Sequence, residues 1–213
     1  MRVRTNAKRE CILNTAAEVF TEVGFERASM SEIAARMGGS KATLYSYFLS
    51  KDELFLAVMQ HKVGAQVEPA FLELPSLAHE EPRALLTRLG ERFMAAVSTR
   101  DAIAVRRMVI AQSARSDVGQ RFWEFGPQHG FEAMAAYLAA ATEAGRLNVK
   151  DPQAAAQHIF ALYGSEIDWR WLFGLQEDFT RARIRQAVAR AVDIFIAAHG
   201  PQALPGTDLE RVT

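Results

Sequence analysis

Between Ser40 and Lys51 the chain reads SKATLYSYFLSK, a short run that carries six hydroxyl side chains and two lysines. Hydroxyls exchange hydrogen bonds with base edges and phosphate oxygens, ammonium groups neutralise phosphates, and a small side chain such as Ala42 meets a thymine methyl. The chemistry on offer is nucleic-acid contact rather than bond making. His61, His79, His129, His158 and His199 are scattered without metal-ligand spacing, and no phosphate loop or nucleophile elbow occurs. Glu166 and Asp168 stand two apart, so a helix points them about 200° from each other. No catalytic residue, metal site or cofactor is assigned, and the chain is not read as an enzyme.

Helical phase is what would present the hydroxyl-rich run. In a helix over 41–48, at about 100° per residue, Leu44 and Phe48 turn inward, Ala42, Tyr45 and Ser46 turn outward, and Thr43 and Tyr47 lie on the flank. Ser40 is its N-cap. Upstream, Ser29-Met30-Ser31-Glu32 has capping-box spacing and opens a helix with Met30, Ile33, Ala34 and Met37 inward, which stops at Gly38. Downstream, Ser50-Lys51-Asp52-Glu53 is a second capping box. Lys51 lies at a helix N-terminus, where free amides already favour an anion, so it is expected to clamp a phosphate. Arg2, Arg4, Lys8 and Arg9 form a basic N-terminal stretch before the inward face of a first helix over 7–23, which is Ile12, Leu13, Ala16, Val19 and Phe20. Met1 to Lys51 hold eight Lys and Arg against five Asp and Glu, whereas the whole chain is balanced at 25 each. The cationic footprint is local, which predicts salt-sensitive binding at one surface rather than general coating.

The helix ending in Val23-Gly24-Phe25, the helix after Ser29 and the array Leu44-Tyr45-x-Tyr47-Phe48-x-x-Lys51-x-x-Leu54 together resemble the DNA-binding domain of TetR-family transcriptional regulators. The resemblance covers the first 55 to 60 residues. It implies that Ser40, Lys41, Ala42, Tyr45, Ser46, Tyr47 and Lys51 touch DNA, and that Ser29 and Ser31 approach its backbone; Thr43, on the flank of the same helix, is assigned to the contact with them. Gly39 departs from the pattern: it stands where the family commonly has an apolar residue that packs between the two helices, so a looser turn is expected.

At 213 residues, 49% of them hydrophobic, the chain has ample material for a core. Its one cysteine, Cys11, can form no intrachain disulfide, is read as a small buried hydrophobe, and fits a reducing cytoplasm. No secretory signal and no membrane-crossing apolar run is seen. Proline and glycine divide the remainder into helices expected over 51–71, 82–98, 102–115, 118–143 with a break at Gly126-Pro127, 152–173 and 180–199. The fold class is all-α: an N-terminal helix-turn-helix domain over 1–55, a helical ligand-binding and dimerisation domain over 56–200, and a mobile tail over 201–213. The helix over 51–71 is expected to link the two domains without a break.

In the larger domain, aromatic and Met side chains at helical spacing are candidates for an effector pocket: Phe93, Met108, Trp123, Phe131, Tyr137, Tyr163 and Trp169, with Glu166 as a polar group. The last helix carries an apolar stripe wider than one neighbour would cover. Phe160, Ala187, Ala191, Ile194 and Ala198 are accordingly assigned to a homodimer interface, the four-helix arrangement that the resemblance implies. The segment from Arg106-Arg107 through Phe122-Trp123-Glu124-Phe125-Gly126-Pro127, with Gly145-Arg146-Leu147, is also loosely similar to the ligand-binding domain of AefR-like members of the family. The combined expectation is a dimeric repressor that reads a palindromic operator in double-stranded DNA and is released by a small apolar or aromatic effector. The alternatives are a small-molecule-binding helical protein without a DNA function, and a helical hydratase or isomerase using Glu166 or Asp168.

Overall fold

The computed structural model describes residues 5–61, 71, 74–114, 116–175 and 180–201. Eleven α-helices lie among them: α1 Asn6–Arg27, α2 Met30–Arg36, α3 Lys41–Tyr47, α4 Lys51–Met59, α5 Pro82–Val97, α6 Arg100–Ser113, α7 Val118–Phe125, α8 Pro127–Glu143, α9 Pro152–Gly164, α10 Asp168–Leu172 and α11 Arg181–His199. A 3₁₀ turn, Leu74–Leu77, precedes α5. Most starts are written locally: Thr5, Ser29, Ser40, Ser50, Thr99, Asp151 and Thr180 each accept a first-turn amide proton on a side-chain oxygen.

Two apolar clusters result. The first, from Ile12, Leu13, Val19, Phe20, Ile33, Leu44, Leu54 and Phe55, seals α1 to α4 together and also takes in Val109 of α6 and Val118 of α7. The second fills the bundle of α5, α8, α9 and α11. The expected helix over 51–71 is seen as α4 to Met59; residues 62–70 lie outside those described, as do 202–213 of the expected tail.

Three expectations are corrected. Cys11 is exposed: Ile12, Leu13 and Ala16 take the inward phase of α1 and leave it outside. The expected helix over 152–173 breaks after Gly164, where Ser165 and Ile167 donate to carbonyls three residues back, so the ladder tightens before α10 begins. A Cβ on Gly164 would lie 2.5 Å from the Asp168 carboxylate, so glycine makes room for the chain to fold back there. The turn at Gly39 is not loose. Gly38 has φ +64, its N–H donates to Ala35 O and that of Gly39 to Ala34 O, the pair of bonds of a Schellman cap. The Met37 side chain fills the space beside Gly39, its Cε 2.9 Å from where a Cβ would stand.

Within the C-terminal bundle, the fully buried Tyr163 donates its hydroxyl to Leu86 O at 2.6 Å. Tyr137 is equally buried, and its hydroxyl has no partner among the described residues. Burial pushes the Tyr137 phenol from 10.0 up to about 12 and Tyr163 upward as well. The folded state therefore holds these protons more tightly than the unfolded chain does. The Tyr137 contribution to stability is complete below about pH 10 and is lost as pH rises toward about 12. Tyr137→Phe should raise stability at pH 7 by about 1 kcal/mol, because an unpaired buried hydroxyl is costly, and should flatten the alkaline decline. Denaturant titrations at neutral and alkaline pH check both; a loss of stability at pH 7 would reveal a partner for the hydroxyl.

Candidate nucleic-acid interface

Helix α3 shows two opposed sides. Leu44 is fully buried and Phe48, at its C-cap, is nearly so, while Ala42, Ser46 and Tyr45, the last 45% exposed, face away. Ser40 Oγ accepts from Thr43 N at 3.1 Å and lies 2.9 Å from Thr43 Oγ1, so the cap serine and the first-turn threonine hold one another. Ser46 Oγ donates back to Thr43 O at 2.7 Å, which leaves its lone pairs outward. Ser29 caps α2 through a 3.1 Å bond from Glu32 N, with Ser31 exposed beside it. Arg36 braces α2 against α1 through Glu22 at 2.6 Å, and Glu32 lies 3.5 Å from the same guanidinium.

Two side chains of the sequence motif have structural partners. The Tyr47 hydroxyl accepts from Thr5 N at 3.1 Å, joining α3 to the start of α1; its own proton stays available to a further acceptor. Lys51 Nζ turns inward, donating to the carbonyls of Phe25 at 2.7 Å, Ala28 at 3.2 Å and Glu26 at 3.3 Å, and it sits 4.3 Å from the centre of the Phe25 ring. Those carbonyls follow Gly24, whose φ of +77 breaks α1. An ammonium has three donors, and the chain supplies three acceptors. Sequence reasoning missed this staple, and it missed Thr5, because both depend on how the end and the start of α1 fold back on α3 and α4.

The seam to the C-terminal bundle was equally invisible in sequence. Phe25 N, just past the break, donates to Met108 Sδ at 3.1 Å, and Gln112 bonds Glu26 across the same seam. Met108, expected in a pocket, packs on the N-terminal cluster instead. On its other side α6 is tied to the α10 region: Arg106 grips Asp168 with two bonds of 3.0 and 2.8 Å, and Arg107 donates to Trp171 O.

The remaining pocket candidates divide. Phe131 stacks near Trp123 at 5.2 Å and near Phe160 at 4.8 Å, and Phe160 in turn meets Phe93 at 5.1 Å and Tyr163 at 6.2 Å. Phe160 thus belongs to this half-buried aromatic cluster, not to an outer face. Tyr137 is core. Glu166 is exposed and paired with Arg190, which holds its carboxyl below the usual range, and Trp169 stacks on Phe173 at the surface. Of the interface candidates, Ala187 and Ala191 are buried inside the bundle, while Ile194, 57% exposed, and Ala198 face outward.

Residues 12–58 match the bacterial regulatory proteins of the tetR family, and residues 84–201 match the AefR-like transcriptional repressor C-terminal domain. The HTH-type transcriptional activator FasR of Mycolicibacterium smegmatis is 47% identical over 62 residues, 29% of this chain and 28% of that protein. The HTH-type transcriptional regulator RutR of Escherichia coli is 34% identical over 64 residues, 30% of each. The chain therefore spans under a third of the length of these relatives. Solved structures match along the whole fold: a TetR-family regulator from Mesorhizobium loti at TM-score 0.81 and 25% identity, over 93% of this chain and 100% of that one, and the flavonoid-responsive regulator FrrA at 0.72 and 29%, with the same coverage. With a hydroxyl-faced α3 mounted on a Schellman turn at one end and the repressor-type bundle matched at the other, the chain belongs to the TetR family of transcriptional regulators.

Proposed function

We propose that the protein is a homodimeric repressor whose paired α3 helices read a palindromic operator, and which a small aromatic effector releases. The carrying observation is the face of Ala42, Tyr45 and Ser46, free of the fold and held in place by Leu44 and Phe48 behind it. Lys41, Thr43, Ser29, Ser31 and the free proton of Tyr47 lie around that face and suit phosphate contacts. Lys51 acts from behind as a positioning residue. Two such helices about 34–36 Å apart enter successive major grooves, which calls for a dimer; the outward side of α11, through Ile194 and Ala198, offers apolar surface for one.

Repression is favoured over activation because the match to the AefR-like repressor C-terminal domain covers 84–201, whereas the match to the activator FasR takes in 29% of the chain. The aromatic effector is supported by the linked rings of Phe93, Phe131 and Phe160 and by the likeness to a flavonoid-responsive regulator. Release follows if the effector binds better to the arrangement in which the two α3 helices no longer match adjacent grooves.

The test uses double-stranded fragments recovered from a randomised pool by the intact protein. Tyr45→Ala with Ser46→Ala should lower affinity for the selected fragment by roughly tenfold or more, with folding unchanged because both side chains are exposed. Fluorescence anisotropy at two salt concentrations reads it. Unchanged affinity would remove the α3 face from the contact.

A further inference from the structure

Between α6 and α7, beside the seam with the N-terminal domain, an open cavity of about 520 Å³ has apolar walls at Val109, Ile110, Phe122 and Trp123. Its size suits a small molecule rather than a chain. Trp123 is 46% exposed, so an indole is already presented to solvent there. Two charged groups line the cavity, Arg106 and Asp117. The Arg106 guanidinium is occupied by both oxygens of Asp168. Asp117 stands before α7 without making a capping bond, and it has no ion pair among the described residues. Among the described residues the lining therefore carries one carboxylate without an ion-pair partner, beside an aromatic ring. An anionic ligand would meet that charge and find the arginine already taken.

We propose that this groove binds a small organic cation with a flat aromatic body, the charge set against Asp117 and the ring against Trp123. The inference rests on the effector reading above and gives that effector a site and a charge: the groove meets the linked rings through Trp123, whose ring lies 5.2 Å from that of Phe131. Its position also supplies the coupling. Val109 and Phe122 line the groove and at the same time pack into the apolar cluster that seals α1 to α4. A molecule that spreads α6 from α7 acts directly on side chains seated against the DNA-binding domain, with no relay through the bundle core.

N-methylquinolinium and its neutral isostere 1-methylnaphthalene differ in charge and hardly in shape, and calorimetric titration of each into the full-length protein tests the site. The cation should bind once per chain and roughly tenfold more tightly than the isostere. Asp117→Asn, which removes the charge without breaking a capping bond, should remove that preference, and Trp123→Leu should weaken both probes. Equal affinities for the two probes, or a preference that survives Asp117→Asn, overturns the proposal. Anisotropy on the selected DNA fragment keeps the two readings apart. A protein that binds the fragment and ignores the cation loses the groove and keeps the repressor; one that binds the cation through Asp117 but no DNA does the reverse.

Discussion

Gly90→Ala should destabilise the protein by about 2 kcal/mol, against the usual sign of that exchange in a helix. Gly90 lies inside α5 and is buried. In an open helix interior, alanine gains about 1 kcal/mol over glycine. Here a Cβ would stand 2.5 and 2.7 Å from the ring of Tyr163 and 2.8 Å from Val188 Cγ1, closer than real Cβ contacts come. The ring cannot step aside easily, because its hydroxyl is bonded to Leu86 O one turn back on the same helix. Overpacking of this kind costs about 1–3 kcal/mol and occasionally more, so the clash outweighs the propensity gain. Denaturant midpoints at constant slope measure it. The double variant with Tyr163→Leu should show strong non-additivity, since the smaller side chain clears the space. A Gly90→Ala protein more stable than the parent would mean that the ring and the helix are not in contact.

Lys51→Met should cost about 3 kcal/mol and weaken operator binding without changing its dependence on salt. Methionine keeps the stem but leaves the carbonyls of Phe25, Glu26 and Ala28 without their shared donor, two of them in part-buried bonds. The end of α1 would then lose its fixed relation to α4. A lysine that clamped a phosphate would behave otherwise: its removal would leave stability nearly unchanged and make the salt slope shallower by about one unit. Lys51→Arg should recover only part of the stability, because a planar fork cannot converge on three carbonyls as an ammonium does. Thermal melts and salt titrations on the same samples separate the two roles.

What the sequence made legible was local. A serine ahead of a helical pattern takes up a first-turn amide, reinforced after Ser29 and Ser50 by a glutamate three residues on, and the starts after Ser29, Ser40 and Ser50 fall where that chemistry puts them. The phase of α3 followed from Leu44 and Phe48 alone. Where a residue's role depended on which distant segment covered it, spacing gave no answer. Lys51 has the position of a phosphate ligand and the partners of a brace. Phe160 lies at interface spacing, yet four rings surround it: Phe71, Phe93, Phe131 and Tyr163. Met108 reads as a pocket residue, and its sulfur accepts the amide that the Gly24 break would leave without a helical partner. At Gly39 the miss was local: the side chain that fills the space beside it is that of Met37, the C-cap of α2 two residues earlier, whose direction spacing alone does not give.

Val109 and Val118 sit fully within the apolar cluster of the N-terminal domain although they lie some fifty residues beyond Met59, the last residue of α4. The reading head is consequently not a portable module. Cut loose after α4, it would bare the faces of α1 and α4 against which α6 and α7 pack, and a hybrid regulator built by exchanging heads would have to carry those two helices from the same parent.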